Sequence, residues 1–133
     1  MVPRWFFFLL AISMSAAEQK SFWNYPNAIW LSNQTVQVVL CPDAGGRVLE
    51  YSLRGTNVLG LNPKEKEWTP EAKDFVPSAG RFDIGPEKII PRRDELWRGE
   101  WTGEITGNRS AIMTSQPHAG TGVQLVREFE LAE

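Results

Sequence analysis

The sequence predicts an all-β protein, an antiparallel β-sandwich with little helix. Short runs of β-branched, aromatic and aliphatic residues recur along the chain, and turn-forming residues separate them at a spacing of about 8 to 12 residues. No segment carries the apolar stripe of an amphipathic helix. Short strands at this spacing are typical of a β-sandwich or β-barrel.

The first half of the chain has the pattern of a β-meander. Residues 33–34 and 54–57 are predicted turns, and Gly45-Gly46 is a predicted turn that needs positive φ. The predicted strands between these turns are residues 28–32, 35–40, 47–53 and 58–59.

The second half repeats this pattern. Residues 101–106 and 110–115 predict a hairpin around Gly107-Asn108, and residues 80–83 predict a short extended segment. Residues 123–131 form the clearest strand, because apolar side chains alternate with polar ones. Its predicted inner face is Val123, Leu125, Arg127, Phe129 and Leu131.

Two further segments are predicted to be irregular. Residues 63–74 are interrupted by Pro70 and carry charges without an apolar stripe, so we predict an exposed loop with one helical turn at residues 70–73. The strand at residues 123–131 stops close to the last residue, and we expect the chain to be the front part of a longer protein.

Composition excludes several classes of function. The chain has 133 residues, the size of one domain, with 14 Lys+Arg against 16 Asp+Glu. A nucleic-acid-binding module carries a basic excess, so we expect no nucleic-acid partner. One Cys excludes an internal disulfide framework, and Cys41 after an apolar run is predicted to be a buried small hydrophobe. One His among scattered carboxylates gives no metal-ligand spacing, so we predict no metal site.

The first 17 residues have the layout of a secretory signal peptide. Arg4 supplies a short positive region, residues 5–12 are an unbroken apolar run, and Ser15-Ala16-Ala17 offers small residues at a cleavage site. The apolar run is shorter than the roughly 20 residues that span a bilayer. We therefore expect residues 18–133 to be an exported domain, periplasmic or secreted, with no membrane span after cleavage.

The segment VVLCPDAGGRVLEYSLRGTNVLGLNP, residues 38–63, resembles the N-terminal meander of the galactose mutarotase-like superfamily, closest to its secreted DUF4380-type branch. Residues 78–87 look like that family's Gly-rich segment before a Pro-Glu, and residues 120–129 look like the strand that opens its next layer. The resemblance covers residues 28–131. It implies that this chain holds the N-terminal portion of a β-supersandwich, with a sugar as ligand.

The resemblance also bears on activity. Members of this superfamily that are mutarotases use a His acid and a Glu base to open and close a sugar ring. The catalytic Glu would lie beyond residue 133, and His118 does not align with the family's catalytic histidines. The resemblance thus implies an aldose epimerase-like isomerase that needs no cofactor, and implies it only for a full-length protein. We expect this chain alone to be inactive.

Residues 81–101 combine aromatic rings with charged hydrogen-bonding groups, which is the mixture that sugar sites use. The predicted carbohydrate-binding residues are Arg81, Asp83, Glu87 and Trp97. A competing interpretation makes Trp97 and Trp101 core or rim aromatics and residues 92–95 a solvated turn. His118, in a Pro-His-Ala-Gly loop, is predicted to be an exposed polar residue.

The leading functional hypothesis is an exported carbohydrate-binding protein of galactose mutarotase-like type, with a sugar or polysaccharide as partner. The alternative is a non-catalytic carbohydrate-binding or envelope structural module. An immunoglobulin-like adhesion domain is a third hypothesis, which the absence of a Cys pair disfavours. The sequence leaves the oligomeric state and the identity of the sugar open.

Overall fold

A computed structural model describes residues 16–68, 79–86, 88–90 and 93–133 and shows two antiparallel β-sheets with little helix. The predicted all-β class is confirmed. The predicted signal peptide lies almost wholly outside the described residues, as does the helical turn predicted at residues 70–73. The first sheet has the order β1-β2-β3-β4-β5 and the second has the order β6-β7-β8.

The strands of the first sheet are β1 (Glu18–Gln19), β2 (Ile29–Ser32), β3 (Val36–Cys41), β4 (Arg47–Leu53) and β5 (Thr56–Asn57). The strands of the second sheet are β6 (Thr102–Gly107), β7 (Ser110–Thr114) and β8 (Val126–Glu130). The described helical segments are two 3₁₀ helices at Pro42–Ala44 and Pro63–Glu67 and one α-helix, α1, at Asp94–Trp97.

The predicted bounds of β4 agree with the structure, whereas β5, the strand that follows it, begins earlier than predicted. Thr56 pairs with Leu53 and Asn57 pairs with Ser52. The turn contains only Arg54 and Gly55, which both have positive φ. A two-residue turn of this kind matches the twist of the flanking strands, so pairing starts at Thr56 rather than at residue 58.

The two sheets pack face to face around one hydrophobic cluster. Side chains at alternate positions of β2 and β3 point toward the second sheet, where β7 supplies Ala111 and Met113. Leu96 of α1 and Trp101 extend the cluster at one end. The buried members from the first sheet are Ile29, Leu31, Val38 and Leu40.

A second cluster covers the opposite face of the first sheet. Tyr25, Leu49 and Trp68 pack there around Cys41, which is fully buried as predicted. Burial raises the pKa of the Cys41 thiol far above its usual value, so the thiol stays protonated and unreactive.

β8 crosses the first sheet diagonally. Arg127 Nη1 donates to the Gly46 carbonyl at 2.6 Å, at the start of β4, and Asn33 Nδ2 donates to the Ala132 carbonyl at 3.0 Å, in the turn between β2 and β3. The predicted inner face is confirmed, because the odd-numbered residues of this strand are the less exposed ones.

Within the described residues, no helix is long and apolar enough to cross a bilayer.

Candidate functional site

Three of the four predicted site residues lie together beside α1. Trp97 Nε1 donates to Asp83 Oδ1 at 2.8 Å, and the Arg81 guanidinium carbon lies 5.2 Å from the centre of the Trp97 ring. Glu87, the fourth predicted residue, lies outside the described residues. The structure therefore brings together an exposed cation, an aromatic ring and a carboxylate that are up to 16 positions apart in the sequence.

Asp83 is held by several donors that converge on one of its oxygens. Asp83 Oδ1 accepts hydrogen bonds from the Ile84 backbone amide at 2.7 Å, from Arg93 Nε at 3.0 Å and from Trp97 Nε1. Arg93 Nη2 also contacts this oxygen in an ion pair. These bonds hold the carboxylate through Oδ1, and the Asp83 side chain is 42% exposed.

Arg93 is the residue that organises this cluster, and its environment differs from the competing sequence interpretation. Residues 92–95 were expected to form a solvated turn, yet Arg93 is only 1% exposed. Its guanidinium donates to the Ile84 carbonyl as well as to Asp83, and its central carbon lies 4.5 Å from the Trp97 ring centre. A buried guanidinium needs such acceptors, so Arg93 ties the segment at residues 83–84 to α1.

The two tryptophans have different environments. Trp101 is part of the core, as one interpretation predicted, and its Nε1 donates to the Leu96 carbonyl at 3.2 Å. Trp97 is only half-buried and is stacked against the guanidiniums of Arg81 and Arg93. Gly45 makes this placement of α1 feasible, because a Cβ at Gly45 would lie 2.0 Å from the Trp97 carbonyl oxygen.

The ionised state of Asp83 is favoured by its donors. Partial burial raises the pKa of this carboxyl, but the hydrogen bonds from Arg93 and Trp97 together outweigh burial and hold the pKa below its usual value. The carboxylate therefore remains charged at neutral pH and acts only as a hydrogen-bond acceptor.

This lowered pKa predicts an acid-sensitive contribution to stability. The contribution is present above the unfolded-state pKa of about 3.9 and is lost as the pH falls through the lower folded-state pKa. We expect Asp83→Asn to remove that part of the pH dependence and to cost at most about 1 kcal/mol at neutral pH, since solvent screens this exposed carboxylate. Urea unfolding of both proteins across acidic pH measures it, and parallel pH profiles would contradict the prediction.

A second arginine, Arg127, lies between this cluster and the start of β4. Arg127 lies between the Phe82 and Phe129 rings, 5.2 Å and 5.0 Å from their centres. Its Nη1 donates to the carbonyls of Gly46 and Gly80. Burial lowers the pKa of the Arg127 guanidinium, and these contacts anchor the segment that carries Arg81 and Asp83.

The expectation for His118 was wrong. The side chain is buried, with a relative exposure of 7% for the residue. Its Nδ1 lies 2.9 Å from Thr121 Oγ1 and its Nε2 lies 3.5 Å from a Glu95 carboxylate oxygen. Gly122 and Thr121 both donate backbone hydrogen bonds to the His118 carbonyl, so the loop folds back over the imidazole instead of exposing it.

One of the two arginines that the site prediction missed could have been found from the side-chain pattern. Arg127 occupies an inner-face position of a strand whose other inner residues are apolar, and a charge at such a position indicates a buried, hydrogen-bonded group. Arg93 has no such signal, because no periodic element was predicted around it.

Within the part of the chain that the structure describes, no group of three or more His, Cys, Asp or Glu side chains is arranged to hold a metal ion.

Comparison of the sequence with models of protein families, with curated proteins and with solved structures finds no match.

Proposed function

We propose that this chain is an exported carbohydrate-binding protein of galactose mutarotase-like type, and that it binds a sugar at the cluster of Arg81, Asp83 and Trp97. The observation that carries the proposal is an exposed carboxylate and an exposed guanidinium beside one half-buried indole ring. The layout of residues 1–17 supports export, and the motifs in residues 38–63 support the family.

The hydrogen-bonding capacity of the cluster fits a polyhydroxylated ligand. Asp83 Oδ1 is occupied by protein donors, whereas Oδ2 accepts no hydrogen bond from the described residues. The Arg81 guanidinium contacts the Trp97 ring and makes no hydrogen bond within those same residues. A pair of neighbouring sugar hydroxyls could donate to Oδ2 and accept from Arg81.

The Trp97 ring supplies the apolar part of the site. Arg93 is buried and fixed on the ring, while Arg81 is exposed and lacks the acceptors that fix Arg93. The Arg81 guanidinium can therefore move away from the Trp97 ring at the cost of one cation–π contact, which is worth about 0.5–1 kcal/mol at an exposed site. The ring then offers the C–H face of a pyranose a stacking surface, which favours a neutral hexose as the ligand.

Binding of galactose and glucose to the full chain, measured by calorimetry, tests the proposal. We expect Asp83→Asn or Arg81→Ala to weaken binding roughly 10-fold to 100-fold, because each removes a charged hydrogen-bonding partner. Arg54→Ala is the matched control, since Arg54 is an exposed arginine in the β4–β5 turn. Equal affinity in all three variants would contradict the site, and no binding by the wild-type chain would favour an envelope structural module.

The same samples address epimerase activity. Ring opening needs one group that delivers a proton and another that removes one, placed around the anomeric centre. His118 is buried, and each of its ring nitrogens already faces a protein oxygen, from Thr121 and from Glu95. We therefore expect sugar binding without anomer interconversion, and polarimetry that detects interconversion faster than the buffer rate would contradict this expectation.

A further inference from the structure

α1 is too short to hold its own position. It is a single turn, Asp94–Trp97, and an isolated helix of this length is unstable in water. Contacts with the rest of the chain must therefore set where its side chains point. Arg93, bonded to Asp83 and to the Ile84 carbonyl, holds the start of the turn, and Leu96, fully buried in the core, holds one side of it.

Glu95 and Trp97 lie on either side of Leu96 in the sequence. Two positions of an α-helix correspond to a rotation of about 200°, so their side chains leave α1 on nearly opposite sides. A rotation of the turn about Leu96 would move Glu95 and Trp97 in opposite directions. A contact at Glu95 therefore fixes the orientation of the Trp97 ring.

Such a contact comes from the loop between β7 and β8. One Glu95 carboxylate oxygen lies 3.5 Å from His118 Nε2. The His118 side chain is 8% exposed and the Glu95 side chain 67% exposed, so a surface carboxylate reaches toward a buried ring. The loop, residues 115–125, contains no Asp, Glu, Lys or Arg. Among the residues that the structure describes, Glu95 is the one charged group that contacts the imidazole.

His118 is the fixed member of this pair. Its amide donates to the Val123 carbonyl at 2.8 Å, and its carbonyl accepts from the Gly122 amide at 2.8 Å. The ring packs on Gly120, where an added Cβ would lie 3.0 Å from His118 Cε1. The loop holds both the backbone and the ring of His118, whereas α1 is a single turn, so the pair constrains α1 rather than the loop.

The groups around the imidazole indicate which nitrogen carries the proton. A carboxylate only accepts hydrogen bonds, so the nitrogen that faces Glu95, Nε2, is the donor. Nδ1 then accepts from the Thr121 hydroxyl, which lies 2.9 Å away. A neutral imidazole therefore serves both oxygens at once, and the contact with Glu95 does not need a charged ring.

We propose that His118 is a positioning residue for the sugar site. Through Glu95 it fixes the rotation of α1 and keeps the Trp97 ring where a sugar stacks. The proposal rests on the sugar site proposed above and assigns no contact between His118 and the sugar. Its measurable consequence is that the hydrogen bond from Trp97 Nε1 to Asp83 depends on the pair of Glu95 and His118.

Glu95→Ala in the full chain removes the contact, and Glu95→Gln is the conservative variant, because an amide oxygen still accepts from Nε2. The NMR resonance of the Trp97 indole N–H reports its hydrogen bond to Asp83. We expect this resonance to shift toward that of a free indole in Glu95→Ala and to stay near its wild-type position in Glu95→Gln. Glu100→Ala is the matched control, because Glu100 is an exposed glutamate just outside α1.

The affinity for galactose, measured by calorimetry, is the second readout. We expect Glu95→Ala to weaken binding about 3-fold to 5-fold, the size of one partly exposed charged contact, and Glu95→Gln to leave it unchanged. His118→Asn, whose side chain is too short to reach Glu95, should weaken binding to the same extent, and adding Glu95→Ala to it should change nothing further. The urea midpoints of Glu95→Ala and Glu100→Ala should be equal, because both side chains are exposed.

The two readouts separate this proposal from the proposed function. A Trp97 resonance that stays in place in Glu95→Ala, or that moves equally in Glu100→Ala, would overturn the positioning role whatever the affinities are. Equal losses of affinity in Glu95→Ala and Glu95→Gln would also overturn it, since the charge of Glu95 would then matter rather than its contact. If the wild type binds no sugar but the resonance moves as expected, the proposed function fails and the positioning of Trp97 stands.

Discussion

Replacing Arg47 with methionine is expected to lower the free energy of unfolding by about 3–5 kcal/mol, the cost of breaking a buried ion pair from one side. Arg47 and Glu65 are both fully buried, and Arg47 Nη1 lies 2.7 Å from Glu65 Oε1. Methionine would fill much of the volume but would remove the guanidinium from beside a carboxylate that water cannot reach. Urea unfolding of the wild type and the variant measures the difference.

The large effect also reflects how many parts of the chain meet at this guanidinium. Arg47 donates to the Ala44 carbonyl at 3.0 Å, to the Ala79 carbonyl at 3.3 Å and to the Tyr25 hydroxyl at 3.3 Å. Burial raises the pKa of Tyr25 far above its usual value, which keeps the hydroxyl neutral as an acceptor. Losing Arg47 therefore loosens the 3₁₀ helix that carries Glu65, the turn that carries Tyr25 and the segment leading to Arg81.

A surface pair of the same charge types is the control. Lys20 and Glu18 also form an ion pair, but about half of each side chain is exposed. We expect Lys20→Met to cost less than about 1 kcal/mol, because solvent already screens this pair. The double variant Arg47→Met with Glu65→Leu should recover part of the loss by removing both charges. Equal losses in the free energy of unfolding for Arg47→Met and Lys20→Met would show that the buried pair contributes no more to stability than the surface pair does.

The strands could be predicted because their side-chain pattern is local. The bounds of β4 follow from the strand pattern in residues 47–53, but a β-bulge shifts its register with β3 between Val39 and Leu40 and breaks the strict alternation of its faces. β8 follows from the alternation in residues 123–131. The ends were less predictable, since β8 pairs only over Val126–Glu130 while a bridge between His118 and Val123 closes the preceding loop. His118, one partner in that bridge, is buried, and no local pattern in the sequence indicates this.

The candidate site was predicted in composition but not in geometry. Arg81, Asp83 and Trp97 are of the residue types that sugar sites use, and they do meet. Their meeting depends on Arg93, whose burial is a tertiary effect, and on α1, which is only four residues long. A helix this short has no periodicity to read, so the sequence could not show which of the charged residues in this region turn inward.

Gly80→Ala is expected to lower the free energy of unfolding by about 2–5 kcal/mol and to abolish the sugar binding proposed above. Gly80 has a φ of +74°, and an added Cβ would lie 1.8 Å from the Val48 carbonyl oxygen, in the backbone of β4. The left-handed conformation costs an alanine about 1–2 kcal/mol, and relieving the clash adds a cost of about 1–3 kcal/mol. The clash would push the segment off β4 and break the Val48–Gly80 and Arg127–Gly80 hydrogen bonds.

Gly55→Ala separates the clash from the backbone strain. Gly55 has a φ of +83°, and an added Cβ there would meet nothing within 4 Å. This variant should therefore be destabilised only by the conformational cost of about 1–2 kcal/mol. It should keep the proposed affinity for sugar, because no contact among the described residues joins the β4–β5 turn to Trp97. Urea unfolding and calorimetry of the two variants side by side measure both effects. If Gly80→Ala binds sugar as tightly as Gly55→Ala, the close contact between residue 80 and β4 does not position Arg81 and Asp83.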